Sequence, residues 1–233
     1  MGFWFSQIPD LKEHFQLILF DPRGVGRSDK PLTPYSIADE AGDLVELQKE
    51  LGLDRAHVLG VSRGGTIAQE LAIRHPDRVN RLVLAVTHLG GPAYLQATAD
   101  VWAEMFNFVG LTPEQIFRRG VELVTTPEFF RSNGPIVDRI VQMRLSDPQP
   151  LHSFHLQFDS ARRFDSRDRI GQIAAPTLAI AGEHDRFVPR EMVVRLAGAI
   201  PGSRYLEIPG ASHYVFIERP DVFNREVIRF LLD

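Results

Sequence analysis

The sequence predicts an α/β fold, with a mostly parallel sheet, helices on both of its faces and one helical insertion. Two observations lead to this prediction. Short apolar segments alternate with amphipathic helical segments along most of the chain, and such alternation is typical of a parallel sheet that is covered on both faces. The strand signals stop between residues 89 and 174, where prolines and glycines mark a series of short helices.

The composition restricts the classes of function that are open to this chain. Its 233 residues, of which 44% are hydrophobic, can bury a substantial core. A net charge of −4 at pH 7 offers no positive surface for nucleic acid or for an anionic membrane. The chain has no cysteine, which excludes disulfides, thiol catalysis and cysteine-based metal sites. Because no apolar run is as long as a transmembrane helix and the N-terminus lacks a leader pattern, we expect a cytoplasmic protein.

Five short apolar segments are predicted to be strands. They are Phe15–Phe20, Ala56–Leu59, Arg81–Val86, Thr177–Ala181 and Tyr205–Ile208. Helices are predicted over Thr66–Arg74 and Asp221–Leu232, and another is predicted to begin after Ser36. At that start, Ser36 and Asp39 have the spacing of a capping box, and Gly52 ends the helix.

Residues 89–174 are predicted to form a helical cap on an α/β core that comprises residues 1–88 and 175–233. Thr112-Pro113 and Thr126-Pro127 each put an N-cap residue before a proline at the first helical position. Half of the 16 phenylalanines lie in this segment. Packing within the cap explains any one of them, whereas the group as a whole is expected to line part of an apolar pocket.

The most informative motif is Gly60-Val61-Ser62-Arg63-Gly64, between a predicted strand and a predicted helix. A serine on so sharp a turn is held in a strained backbone conformation, with its hydroxyl clear of both elements. We expect Gly60 and Gly64 to be required because a Cβ there would collide with neighbouring backbone. The turn also leaves the first N–H groups of the helix free, beginning with that of Arg63. The motif therefore predicts a nucleophile, Ser62, with one donor for an oxyanion.

A serine hydroxyl becomes a good nucleophile only beside a base, and that base needs an anion to orient it. Asp185 follows the fourth predicted strand, Thr177–Ala181, and His213 follows the last one, Tyr205–Ile208. Loops that follow parallel strands meet at one edge of the sheet, so both residues can reach Ser62. Their order along the chain is Ser, Asp, His, which is the order of α/β-hydrolases.

Five motifs in order give the chain its resemblance to a known family. They are Asp21-x-Arg23-Gly24-x-Gly26-x-Ser28, Gly60-x-Ser62-x-Gly64-Gly65, His75-Pro76-Asp77-Arg78-Val79, Gly182-x-x-Asp185 and Gly210-x-x-His213. From about Trp4 to its end the chain resembles α/β-hydrolases of the lactonase, esterase and haloperoxidase-like branch. The resemblance implies that Ser62 is the nucleophile and His213 the general base and acid. It further implies that Asp185 orients His213 and that the Arg63 N–H is an oxyanion donor.

Three other patterns have simpler explanations. Gly24-Val25-Gly26 lacks the third glycine of a dinucleotide-binding loop, since Asp29 stands in its place. His152 and His155 share a helical face, but no third metal ligand is in view, so neither a cofactor nor a metal is expected. The Arg162–Arg163 pair could contact an anionic substrate, although a solvated pair on a helix is the favoured interpretation.

The chain departs from the family at its N-terminus. Members carry, before the region that matches Trp4, further strands and a His-Gly loop that supplies a second oxyanion N–H. One of those strands would lie between Phe15–Phe20 and Ala56–Leu59. Three explanations are open: the sequence is truncated relative to a longer parent, a second copy donates the missing structure, or the chain is rearranged. We favour truncation. Loss of one oxyanion donor typically lowers turnover by about 100- to 1000-fold.

The predicted function is hydrolysis of a small carboxylic ester or lactone through an acyl-enzyme on Ser62. Haloalkane dehalogenases and epoxide hydrolases use an aspartate at this position, and meta-cleavage C–C hydrolases usually carry asparagine where Val61 stands. Two alternatives stay open. One is a cofactor-free haloperoxidase or perhydrolase with the same triad, and the other is a weakly active or inactive relative that binds a ligand. The sequence leaves open whether the chain forms a homo-oligomer.

Overall fold

The computed structural model of the protein describes residues 2–233. Among these residues there is one four-stranded parallel sheet in the order β1-β2-β3-β4. The strands are β1 (Ala56–Val61), β2 (Val79–Ala85), β3 (Thr177–Gly182) and β4 (Arg204–Ile208). Four of the five predicted strands are therefore confirmed, with ends that move by one or two residues, and so is the α/β fold class.

Helices precede, separate and follow these strands. They are α1 (Ile8–Leu11), α2 (Ile37–Glu50), α3 (Arg63–Arg74), α4 (Gly91–Ala97), α5 (Ala99–Met105), α6 (Pro113–Val124), α7 (Pro127–Ser132), α8 (Gly134–Ser146), α9 (Leu151–Arg162), α10 (Arg190–Ala199), α11 (Val215–Glu218) and α12 (Pro220–Leu232). The predicted capping box is present at α2, where the Asp39 N–H donates to Ser36 Oγ and the Ser36 N–H donates to Asp39 Oδ2. No helix in the described part of the chain is long and apolar enough to cross a bilayer.

The core lies on both faces of the sheet, as alternation along β2 shows. Leu82 and Leu84 pack with the apolar residues of α2 and α3 on one face. Val83 and Ala85 pack on the other face, in a cluster that contains Phe223 of α12. Since neighbouring residues of a strand point to opposite faces, β2 is buried on both sides, which is the environment that its continuous apolar sequence predicts.

The prediction of a strand over Phe15–Phe20 is wrong. The segment is irregular, and within residues 2–233 β1 pairs only with β2. A cavity of about 430 Å³ separates the segment from β1, with Leu17 and Leu59 among the residues that line it. Paired strands lie about 4.8 Å apart, so this separation leaves the apolar segment without a ladder partner. Ile18 consequently keeps 42% of its surface exposed.

Residues 89–174, called the helical segment below, contain α4 to α9 and are joined to the rest of the molecule on two sides. On one side the buried Glu218 carboxylate accepts the Thr126 N–H at 2.8 Å and the Ser212 N–H at 2.8 Å. Thr126 is the N-cap of α7, whereas Ser212 lies in the loop after β4. A single carboxylate therefore joins the helical segment to that loop.

On the other side, α9 and the residues before it contact the loop that follows the irregular Phe15–Phe20 segment. Gln157 Nε2 donates to Arg23 O at 2.9 Å, and Gln149 Nε2 donates to Gly24 O at 3.2 Å. Arg23 is itself held by a bidentate ion pair with Asp43 of α2. The glycine-rich loop thus supports the helical segment, and the helix that follows it, α2, begins at Ile37.

Candidate active site

Ser62 occupies the turn between β1 and α3 in a conformation that few non-glycine residues adopt. Its φ is +53° and its ψ is −120°, values that cost energy and persist only where the surroundings enforce them. Two hydrogen bonds do so here. The Ser62 N–H donates to Ala85 O at 2.9 Å, and Thr87 Oγ1 donates to Ser62 O at 2.8 Å. The end of β2 therefore holds the strained serine in place.

The glycines around this turn differ in what they do. A Cβ on Gly60 would lie 2.5 Å from Gly64 O, and one on Gly65 would lie 2.6 Å from the Thr87 side chain. A Cβ on Gly64 would meet nothing within 4 Å. The expected requirement for glycine is thus confirmed at position 60 and wrong at position 64, because Gly64 faces open space on α3. The close approach that needs a second glycine occurs at Gly65.

The three residues that the sequence proposes as a triad form one continuous hydrogen-bonded chain. His213 Nε2 lies 2.9 Å from Ser62 Oγ, and His213 Nδ1 lies 2.8 Å from Asp185 Oδ2. A carboxylate can only accept, so Nδ1 carries the proton and Nε2 is free to accept the serine hydroxyl. Asp185 and His213 are both buried. The geometry is that of a nucleophile, a base and an orienting anion.

Backbone groups fix the Asp185 carboxylate. Its Oδ1 accepts the Phe187 N–H at 2.8 Å and the Val188 N–H at 2.9 Å, which leaves Oδ2 for His213. Charge-assisted bonds of this kind are stronger than neutral ones. They orient the carboxylate, and through it the imidazole ring.

Arg63 is the first residue of α3, so its N–H has no acceptor within the helix. Its guanidinium pairs with the buried Glu40 carboxylate of α2. Burial raises the pKa of Glu40, while the Arg63 charge and hydrogen bond act in the opposite direction. The large side chain is therefore held at α2, and the backbone donor stays beside Ser62 at the positive end of the helix.

A cavity of about 470 Å³ opens at Ser62 and Arg63, beneath the helical segment. Most of its wall is apolar or aromatic, with Tyr94, Leu95, Trp102, Phe106, Phe154 and Phe158 among the lining residues. Some of these rings pack edge to face, as in Phe106–Phe158 at 5.0 Å between centroids, and others stack, as in Phe154–Phe158 at 6.2 Å. The expectation that phenylalanines of this segment line an apolar pocket is confirmed for three of them. A cavity of this kind suits a small ligand with an apolar part.

His88 also lines this cavity, and sequence reasoning missed it. It follows β2, two residues after Val86, whose φ is +44°, and its ring stacks on Tyr94 with centroids 3.4 Å apart. Burial, with a smaller effect of the nearby His213 charge, lowers the pKa of His88 to about 3. The available signal was its position just after a predicted strand, where Asp185 and His213 also lie.

Of the other candidate residues, Arg162 lines the cavity at Ser62, whereas His152, His155 and Arg163 are not among its lining residues. Within residues 2–233 no group of three or more His, Cys, Asp or Glu side chains could hold a metal ion, so His152 and His155 gain no further ligand. Arg162 and Arg163 are both exposed, and their side chains make different contacts. Arg163 donates to Tyr35 O at 3.3 Å, whereas Arg162 lies over the Phe158 ring at the cavity wall.

Comparison with known proteins identifies the family. The sequence model of the alpha/beta hydrolase fold matches residues 1–220, which is nearly the whole chain. The chain belongs to the alpha/beta hydrolase fold family. The fold class and the resemblance drawn from five motifs are thereby confirmed. This α/β-hydrolase carries its Ser62–His213–Asp185 chain at the carboxyl ends of the strands, where ligands bind in open α/β sheets.

Relatives of this α/β-hydrolase carry several names. RutD of Azorhizobium caulinodans, provisionally named a carbamate hydrolase, is 29% identical over 98% of this chain and 86% of its own length. A 2-hydroxy-6-oxononadienedioate/2-hydroxy-6-oxononatrienedioate hydrolase of Cupriavidus pinatubonensis is 30% identical over 93% of this chain and 76% of its own. The crystal structure of the enol-lactonase from Burkholderia xenovorans LB400 superposes with a TM-score of 0.87, at 28% identity, over 100% of this chain and 86% of that one. By name these three relatives are hydrolytic enzymes that differ in the bond they cleave.

Proposed function

We propose that this α/β-hydrolase cleaves a carboxylic ester or lactone through an acyl-enzyme on Ser62. The observation that carries the proposal is the unbroken chain from Ser62 Oγ through His213 to Asp185, with bonds of 2.9 and 2.8 Å, at the floor of a largely apolar cavity. The name of the structurally similar enol-lactonase supports a lactone or ester as the substrate class. The helical segment would then act as the cap over the site.

In this mechanism His213 Nε2 accepts the proton of Ser62 Oγ while the oxygen attacks the carbonyl carbon. Charge develops on the carbonyl oxygen, and the Arg63 N–H at the start of α3 stabilises it. The protonated His213 then gives its proton to the departing alkoxide, which leaves as an alcohol, or as the hydroxyl end of an opened lactone. Asp185 stabilises the imidazolium throughout.

Hydrolysis of the acyl-enzyme repeats these steps, with water as the nucleophile and Ser62 as the leaving group. His213 takes a proton from the water, the resulting hydroxide attacks the acyl carbon, and the carboxylic acid leaves as Ser62 regains its proton. No atom of a cofactor takes part in these steps. The apolar wall around Trp102 and Phe158 would bind the acyl part of the substrate.

The test compares wild type with Ser62→Ala, using p-nitrophenyl butyrate for esters and γ-butyrolactone in a pH-stat for lactones. Ser146→Ala is the matched control, because Ser146 is exposed and lies outside the cavity. We expect Ser62→Ala to lose activity to the background rate and Ser146→Ala to keep it. A fluorophosphonate probe should add one mass increment to wild type and none to Ser62→Ala. Equal rates in wild type and Ser62→Ala would disprove the proposal.

A further inference from the structure

The imidazole of His88 lines the cavity at Ser62, and only one of its two ring nitrogens is hydrogen-bonded to the protein. His88 Nδ1 accepts the Gly90 N–H at 2.9 Å. No acceptor for His88 Nε2 exists among the side chains and carbonyls of residues 2–233, and the residue is a wall of the cavity. A polar atom that the protein itself leaves unused, in a ligand-sized cavity, is a candidate contact for the ligand.

The bond from Gly90 decides which atom carries the proton. Nδ1 accepts an N–H, so in the neutral ring the hydrogen sits on Nε2, and Nε2 is a donor. Burial lowers the pKa of His88 to about 3, and the His213 charge acts in the same direction. The ring is therefore neutral near pH 7, and the bond from Gly90 holds it in one tautomer. It is a fixed donor with no part in proton transfer.

The ring is also held rigidly. It stacks on Tyr94 at 3.4 Å with an angle of 14° between the planes, and the His88 carbonyl accepts from Gln69 Nε2 at 3.1 Å. Gln69 is wholly buried in α3, the helix that begins after Ser62. A donor that is fixed from three sides recognises an acceptor in one position, and it loses little entropy when the contact forms.

We infer that His88 is a substrate-binding residue that selects esters or lactones with an additional acceptor oxygen on the acyl chain, to which its Nε2–H donates. The inference rests on the proposed function. Its physical reason is the cost of a buried donor without a partner. An acyl chain of hydrocarbon alone would cover Nε2 and leave it unsatisfied, whereas an ether, keto or carboxyl oxygen at that place would accept its hydrogen. Sites built in this way discriminate strongly against analogues that lack the acceptor.

The experiment uses two p-nitrophenyl esters of equal length, the methoxyacetate and the butyrate, which differ by one oxygen in place of one methylene. The ratio of their kcat/KM values is divided by the ratio of their rates with hydroxide, which removes the difference in intrinsic reactivity. In wild type we expect this corrected ratio to favour the methoxyacetate by about tenfold. In His88→Phe it should fall to about one, and in His88→Gln, which keeps an amide donor, it should remain above one. His14→Phe, at an exposed histidine outside the cavity, should behave as wild type.

The outcomes separate this inference from the proposed function. Labelling of Ser62 by the fluorophosphonate in His88→Phe shows that the nucleophile is intact, so a corrected ratio that is equal in wild type and His88→Phe then overturns the inference alone. An equal loss on both esters also overturns it, because it shows a structural role or a contact to the shared scissile group. Absence of labelling in wild type would instead overturn the proposed function.

A direct measurement completes the test and does not depend on turnover. In Ser62→Ala, a long-range ¹⁵N–¹H spectrum should show His88 protonated on Nε2 between pH 5 and 8, and the methoxyacetate ester should shift its Nε2 resonance more than the butyrate does. A ring protonated on Nδ1, or equal shifts with both esters, contradicts the inference.

Discussion

His213 Nδ1 lies 2.8 Å from Asp185 Oδ2, and the other oxygen of the same carboxylate accepts two backbone N–H groups. The carboxylate is thus oriented before the histidine contacts it. Asp185→Asn keeps the size of the side chain, but its amide NH₂ would face either Nδ1–H or a backbone N–H. We expect kcat to fall by about 10⁴-fold, the loss typical of a triad whose aspartate is replaced by asparagine. The measurement is p-nitrophenyl butyrate hydrolysis, with exposed Asp168→Asn as the control. A loss below tenfold would show that Asp185 does not orient His213.

The two glycines on either side of Ser62 provide a matched pair of alanine variants. In Gly60→Ala the new Cβ would meet backbone 2.5 Å away, so we expect a loss of about 1–3 kcal/mol in stability together with a loss of activity. Gly64→Ala adds a methyl group in open space within α3, where alanine favours the helix by up to about 1 kcal/mol. Urea unfolding and ester hydrolysis should separate the two variants. Similar losses in both would show that the space around Gly64 is not open.

Glu218 gives a pH dependence of stability. Burial raises its pKa in the folded protein, even though the N–H groups of Thr126 and Ser212 favour the charged form. A carboxyl whose folded pKa is raised stabilises the protein below its unfolded pKa, and that contribution is lost as the pH rises through the folded pKa. Glu218→Gln cannot ionise, so the Tm of wild type minus that of the variant should decrease from pH 4 to pH 7. An increase over this range would contradict the raised pKa.

The two tryptophans of the chain report on different places. Trp102 lines the cavity at Ser62, whereas Trp4 lines the cavity beside β1. Binding of p-nitrophenyl butyrate to Ser62→Ala should therefore quench Trp102 and leave Trp4 unaffected. Tryptophan fluorescence is titrated with the ester in two double variants, one with Ser62→Ala and Trp4→Phe and the other with Ser62→Ala and Trp102→Phe. Quenching that persists in the Trp102→Phe background, after correction for absorbance, would contradict binding in this cavity.

The sequence predicted well those features that depend on local chemistry. Ser62 sits on its turn because the strand before it and the helix after it are both strongly encoded, and Asp185 and His213 follow from the rule that loops after parallel strands share an edge. The capping box at Ser36 formed as predicted because it depends on neighbours three residues apart.

Features that depend on distant contacts were predicted less well. Phe15–Phe20 has the composition of a strand, but strand formation needs a partner, and within residues 2–233 a cavity lies where that partner would pair. The requirement at Gly65 comes from Thr87, which the chain brings back only after α3 and β2. His88 was missed for the same kind of reason, since its tautomer depends on a bond from Gly90 and its burial depends on Tyr94 of α4.

The two attachments of the helical segment restrict how a substrate can arrive. Glu218 binds the segment to the His213 loop, and Gln157 binds it to the Arg23 loop on the opposite side. Swinging the segment away as one body would break both attachments, and the one at Glu218 is buried. Local movement of side chains at the cavity mouth breaks neither. We therefore expect the cross-section of a substrate to determine how fast it enters the cavity. Slim or flexible esters should enter readily, whereas bulky rigid esters should enter slowly even where the cavity could hold them.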